Sequence, residues 1–199
     1  MFKTLFPRSG GAQEEAEDIF FGQITIIWAR WFLIAAGALI ALLSTHSMSE
    51  LTVAILTVIV LMAINFSMHG RYLTGKPANV TLLLLTNLID ILIITFLVFA
   101  WSGRTGLDSN FFILYYPMLF AFALVFPPGM AILYTLITLL LYGVGCLFTT
   151  PSQLMTSIAG FELLSMRLIT LGAMGGLGAY YYRRQRAALR ALVTRPAYR

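Results

Sequence analysis

The sequence predicts an all-α integral membrane protein, a six-helix transmembrane bundle with both termini in the cytoplasm. Three observations lead there. Of 199 residues, 59% are hydrophobic and 11% charged, with a mean hydropathy of +0.86, whereas a soluble domain carries about a quarter charged residues. The apolar residues fall into six runs, each near the roughly 20 residues that cross a hydrocarbon core. Basic residues gather on one side of the resulting pattern, which the positive-inside rule assigns to the cytoplasm.

The predicted spans are 24–43, 51–68, 80–101, 111–126, 130–148 and 157–182, the fourth being the shortest. Between them lie "STHSMSE", "HGRYLTGKPAN", "SGRTGLDSN", "PPG" and "TTPSQLMT". An even number of spans puts both termini on one side. That side collects Lys3, Arg8, Arg71, Lys76, Arg183, Arg184, Arg186, Arg190, Arg195 and Arg199, and Arg104 alone sits in an opposite loop. The chain therefore divides into a cytoplasmic N-terminal segment 1–23, a bundle 24–182 and a basic cytoplasmic tail 183–199. "AQEEAED" stands where a cleavable signal peptide would need an apolar core, so none is expected. The net charge of +5 follows from topology rather than nucleic-acid binding. A single cysteine, Cys146, excludes an intramolecular disulfide.

Polar residues inside the spans are the candidate site. The charge-free run from residue 31 to 43 is too short to span alone, so the first helix begins before Arg30 and carries it inward. At 1.5 Å per residue, Arg30 lies ~9 Å from an edge near residue 24, and Asp90 ~15 Å from an edge near residue 80. An arginine side chain closes that gap. Thr86, Asn87 and Asp90 are three and four apart and share a helix face. Asn65 lies near the same level on the second helix. Arg30, Asn65, Asn87 and Asp90 thus form a predicted intramembrane cluster, since a lone charge at mid-membrane costs about 2.5–3.5 kcal/mol. Three readings of it stand: a structural pair that locks helices, a site responding to a proton or a ligand such as a quinone, and an Arg30 that snorkels to the interface beside Trp28 and Trp31.

Helix six offers other features. Glu162 and Arg167, five apart, do not face one another, so Arg167 is expected to meet another helix or a lipid phosphate. Together with Arg183, Arg184 and Arg186 they read as lipid or interface anchors. Gly172 and Gly176 form a G-x-x-x-G step with Gly175 and Ala179 beside it, a helix-packing face used inside the bundle or by a partner. Pro117 removes a backbone hydrogen bond and is expected to kink the fourth helix. The two histidines, His46 and His69, sit at helix ends, which argues against axial haem ligation. No nucleotide-binding glycine loop, Cys/His metal spacing or nucleophile–base set is visible, so an enzyme is not expected.

"ARWFLIAAGALIALL", "LMAIN", "LLLTNLIDILIITFLVFAWSGRTGLDSNFFILYYPMLFAFALVFPP" and "YYYRRQRAALRAL", taken in order, resemble the six-helix membrane sensor domain of bacterial histidine kinases, including the redox-sensing type. Arg30, Trp31, Asp90 and Pro117 match by position. The turn departs from the pattern: Gly103 and Gly106 are separated, and Asn110-Phe111 stands where Asn-Pro-Phe is usual. The resemblance implies a bacterial inner membrane and a quinone site reaching Arg30, Asp90 and "SGRTGLDSNFF". The kinase's phosphoacceptor helix and ATP-binding domain are absent from these 199 residues. Two roles follow. The first is a non-catalytic accessory or adaptor subunit of a larger membrane complex, photosynthetic or respiratory, contacting lipid and other subunits or a second copy. The alternative is a stand-alone sensor module that binds a quinone or lipid and relays to a separate partner.

Overall fold

The structure, a computed structural model, describes residues 12–45, 47–75, 79–101 and 105–193. Among these there is no strand; the chain runs α1 (Ala12–Ser44), α2 (Met48–Leu73), α3 (Val80–Ala100), two 3₁₀ segments (Gly106–Asp108 and Asn110–Leu114), α4 (Tyr115–Val125), α5 (Pro128–Thr149), α6 (Pro151–Thr156) and α7 (Ile158–Val193). Of the predicted cytoplasmic and loop cations, Lys3, Arg8, Lys76, Arg104, Arg195 and Arg199 lie outside the described residues, as do His46 and the side chains of Arg186 and Arg190.

Local chemistry sets the boundaries. Ser47 caps α2 by accepting from the Glu50 amide at 3.3 Å, the Ser-x-x-Glu arrangement of a helix start. Asn79 caps α3 through the Thr81 amide. Pro128 and Pro151 each open a helix, where a missing N–H costs nothing.

Five helices are long and apolar enough to cross a membrane: Gly22–Ser44, Met48–Leu73, Val80–Ala100, Pro128–Thr149 and Ile158–Gln185. This is the make-up of a multi-pass membrane protein. Their outward faces carry Leu39, Val60, Phe96, Leu140 and Phe161, all exposed, as suits a lipid solvent rather than water. The expected sixth span, 111–126, differs: the apolar stretch is Asn110–Val125, and its first part is 3₁₀. At about 2.0 Å rise per 3₁₀ residue and 1.5 Å per α residue it is still roughly 26 Å long, close to a hydrocarbon core of about 30 Å. The tighter winding lengthens the shortest helix.

Several connections hold more structure than their sequences suggest. α1 starts at Ala12, well before residue 24. "TTPSQLMT" contains α6, and Gly106 and Leu107 of "SGRTGLDSN" are buried. Pro117 was expected to kink a helix; instead it falls in the first turn of α4, just after the 3₁₀ segment. The N–H groups there have no intrahelical partner, so proline is accommodated without a break.

The shortest helix lies at the centre. α4 packs on α7, α1, α5 and α3, and Tyr115, Met118, Leu119, Ala121, Phe122 and Ala123 are all buried. α2 is peripheral: it packs on α1, and only Ala54, Asn65 and Met68 are buried on it. α3 packs on α4 and α5 but has no comparable packing with α1 or α2. A seam therefore separates the α1–α2 hairpin from α3.

Small residues of α7 let it approach α4 and α5. A Cβ at Gly178 would lie 2.5 Å from the Ala123 Cβ, and one at Gly175 would collide with Thr135. Ala179 is buried on the same side. The predicted Gly172–Gly176 step faces elsewhere, since a Cβ at either position meets nothing within 4 Å. The internal small step is Gly175–Ala179, and among the described residues nothing packs closely on Gly172 or Gly176.

Gly175→Ala should thus overpack the α5–α7 contact and cost about 1–3 kcal/mol, whereas Gly176→Ala should leave stability unchanged. Thermal unfolding of both variants in mild detergent checks this, and equal midpoints would contradict the assigned face.

Candidate functional site

Arg30 enters the bundle from α1 and Asp90 from α3, and they meet inside. Arg30 Nε donates to Asp90 Oδ2 at 2.6 Å. Arg30 is 2% exposed and Asp90 3%, so the interaction lies in low dielectric, where removing either partner leaves a charge with nothing to offset it. The snorkelling alternative for Arg30 does not describe this geometry.

Asn65 and Asn87 are fully buried nearby in the fold but serve the backbone rather than the ion pair. Asn65 Nδ2 donates to the Ile27 carbonyl at 3.3 Å, tying α2 to α1. Asn87 Nδ2 donates to the Leu83 carbonyl of its own helix at 2.6 Å. Thr86 likewise bonds back to Leu82 and Leu83. Two residues that sequence reasoning passed over complete this region. Gln23 donates to the Met68 carbonyl at 2.9 Å, a second α1–α2 tie. Tyr134 of α5 donates to the Asn87 carbonyl at 2.8 Å and stacks on Phe122 at 3.7 Å between centroids. An amide-bearing side chain at the edge of a span signals the first; nothing in the α5 sequence singles out the second from its neighbours.

The polar inventory leaves both donors and acceptors unmet. Arg30 Nη1 and Nη2, Asn65 Oδ1 and Asn87 Oδ1 are buried with no hydrogen-bond partner. Buried donors of this kind are uncommon because each costs about 1–3 kcal/mol unmet. A guanidinium has five N–H donors, and Asp90 engages only the one on Nε.

Arg30 and Asp90 stand at one end of a narrow cleft of about 40 Å³ in the seam between α1, α2 and α3. Its walls are apolar: Ile34 and Gly37 from α1, Ala54 and Leu61 from α2, Ile94 and Leu97 from α3. Trp101, Phe111 and Leu114 close the far end, ~16 Å up α3 from Asp90 at 1.5 Å per residue. The cleft has a hydrogen-bonding end at Arg30 and apolar walls, and at its far end the buried Trp101 Nε1 is also without a hydrogen-bond partner.

A second polar knot lies beside that far end. Arg167 of α7 is half-buried and turned inward rather than towards a headgroup. Its Nη1 donates to Tyr142 Oη at 2.8 Å and to the Gly106 carbonyl at 3.4 Å, and its guanidinium sits 4.5 Å from the Phe112 ring centroid. Gly106 has φ +61°, and a Cβ there would lie 2.8 Å from Thr149 Oγ1, so the turn demands glycine twice over. Arg167 therefore fastens the "SGRTGLDSNFF" turn to α5 and α7. Glu162, Arg183 and Arg184 are exposed, and Arg184 Nε donates to Tyr180 Oη at 2.9 Å. Cys146 is buried and reduced. Among the described residues no group of His, Cys, Asp and Glu is placed to hold a metal ion.

Comparison with protein-family models, with characterised proteins and with solved structures finds no match. The site's own chemistry is therefore what bears on function.

Removing one member of the pair should be costly. Arg30→Met or Asp90→Leu alone should destabilise by about 3–5 kcal/mol, and the double replacement by much less than their sum. Unfolding of the three variants in detergent measures the coupling, and strict additivity would mean that the contact contributes nothing.

Proposed function

We propose that this chain is a multi-pass sensor module whose α1–α3 cleft binds a neutral, carbonyl-bearing lipophile and relays its presence to a separate partner. One observation carries the reading: a buried guanidinium, already neutralised by Asp90, with two amino groups lacking acceptors at the head of an apolar cleft. A second anion would leave the head of the cleft with a net charge in low dielectric, which is expensive. A carbonyl oxygen accepts from Nη1 or Nη2 without adding charge. An isoprenoid quinone belongs to this class, and the resemblance of Arg30, Trp31 and Asp90 to the redox-sensing domain points to the same member. In this reading the Asn110–Val125 stretch counts as a sixth span beside the five long helices, and the basic Arg71, Arg183 and Arg184 support cytoplasmic termini in a bacterial inner membrane.

The accessory-subunit reading stands second, favoured by the outward Gly172–Gly176 step, which no part of the chain covers among the described residues. In that case the chain should co-purify in fixed stoichiometry with a larger complex in mild detergent; recovery only as a free chain would count against it.

The sensor reading is tested by Arg30→Lys. Lysine keeps the cation for Asp90 but lacks the planar fork of donors. The full chain, reconstituted in lipid nanodiscs and titrated with decylubiquinone, should bind at least tenfold more weakly as Arg30→Lys, with its unfolding midpoint nearly unchanged. Equal affinity in both forms would remove the guanidinium from the site and overturn the reading.

A further inference from the structure

We propose that the groove on the outer surface between α2 and α3 is the subsite for the alkyl or isoprenoid tail of the cleft's ligand, which leaves the cleft sideways between Thr57 and Ile93. The inference rests on the reading of the cleft as a head-group site and adds to it the path of the tail. Three observations lead to it.

First, the cleft is bounded. It runs ~16 Å from Asp90 to a wall of Trp101, Phe111 and Leu114, all of them buried. A head group and a short chain fill that length, and a longer tail needs another way out.

Second, a groove of about 400 Å³ lies between α2 and α3, lined by Val53, Leu56, Val60, Leu92 and Phe96 together with Thr57 and Ile93. Thr57 and Ile93 also line the cleft, so the two spaces adjoin at that pair. Ile93 is three residues beyond Asp90, ~4.5 Å along the helix. The opening is thus one turn above the ion pair, where a tail attached to a head group on Arg30 would begin.

Third, α2 and α3 lack the close packing that elsewhere seals the bundle. Val60, Leu92 and Phe96 are half or more exposed, and Thr57 Oγ1 is occupied by the Val53 carbonyl at 2.8 Å. The Thr57 O–H donor is thus already used, and the other groove residues are hydrocarbon. A hydrophobic ligand would pass along this route between lipid and cleft without crossing the aqueous face.

The test separates head from tail. The probes are decylubiquinone and its tail-less analogue 2,3-dimethoxy-5-methyl-1,4-benzoquinone, titrated against the full chain in nanodiscs, with partition into protein-free discs subtracted. Ile93→Trp fills the junction and should weaken decylubiquinone at least tenfold. Phe96→Ala, which removes a groove wall outside the cleft, should weaken decylubiquinone severalfold and leave the tail-less quinone alone. A decylubiquinone carrying a diazirine on its terminal carbon should label residues 53–60 and 89–96. Labelling of Trp101 or Phe111 instead, or equal loss of both probes in Phe96→Ala, would overturn the tail subsite while leaving the head site standing. Failure of the wild-type chain to bind either probe would overturn both.

Discussion

The bond from Arg30 to Asp90 is the constraint on which the rest of the bundle's asymmetry depends. It joins α1 to α3, two helices that do not pack closely on one another. Elsewhere the helices are held by side chains meeting at van der Waals distance, which in lipid is the main source of helix association. Across the seam an ion pair takes that role. The pair tolerates separation because an arginine side chain is long, and it cannot be dispensed with because either charge alone at this depth would be costly. A seam bridged by this ion pair and bordered by small residues, Gly37, Ala41 and Ala54 among them, leaves space, and that space is the cleft.

The opposite half of the bundle is built on the contrary principle. α4 is surrounded by four other helices, and its neighbours carry residues that let backbones approach: Gly175 and Gly178 on α7. Hydroxyl pairs then pin the helices without demanding room. Tyr115 shares a 2.8 Å hydrogen bond with Thr95 of α3, and Tyr116 shares one of 2.8 Å with Thr170 of α7. Arg167 performs the corresponding service for the buried turn before α4, using a neutral phenol, a carbonyl and a ring face. One side of the molecule is thus close-packed, and the other is spanned by the Arg30–Asp90 ion pair.

What the sequence discloses follows from how far each signal reaches. A charge inside an apolar run is visible at once, and its depth follows from a fixed rise per residue, so the Arg30–Asp90 pairing can be read from residue numbers. Amide side chains reveal that they need partners but not which ones: Asn65 and Asn87 sit at the right level, yet Ile27 and Leu83 carbonyls lie nearer than the guanidinium. The rotation of a helix about its axis is less legible still. Gly172–Gly176 and Gly175–Ala179 have the same spacing, and only the position of Thr135 and Ala123 on other helices decides which step faces inward. Pro117 misleads for a related reason, because whether proline kinks a helix or begins one depends on where the preceding 3₁₀ segment ends. The seam itself has no sequence signature, being an absence of packing between residues far apart in the chain.

The charge state of the pair also limits how a ligand can act on it. An acceptor placed on Nη1 or Nη2 leaves the Nε–Asp90 bond intact, so binding and the α1–α3 tie do not compete for the same proton. A ligand of that kind strengthens the bridge between α1 and α3 by supplying the acceptors that Arg30 otherwise lacks, and it shifts the seam towards closure only by its difference in affinity for closed and open forms. A ligand that instead took the Nε donor, or gave its own proton to Asp90, would cut the ion pair across the seam. The internal ties of the α1–α2 hairpin through Gln23 and Asn65 do not involve the pair and would persist. Since α1 packs on α4 and α4 on α7, any movement of that hairpin bears directly on α7, which continues past its apolar span to Val193. Within the proposed reading, the oxidised and reduced forms of a quinone differ in the feature that matters, one offering only acceptors and the other adding hydroxyl donors. The first can satisfy Arg30 alone; the second can also donate to Asp90 and compete with Nε for it.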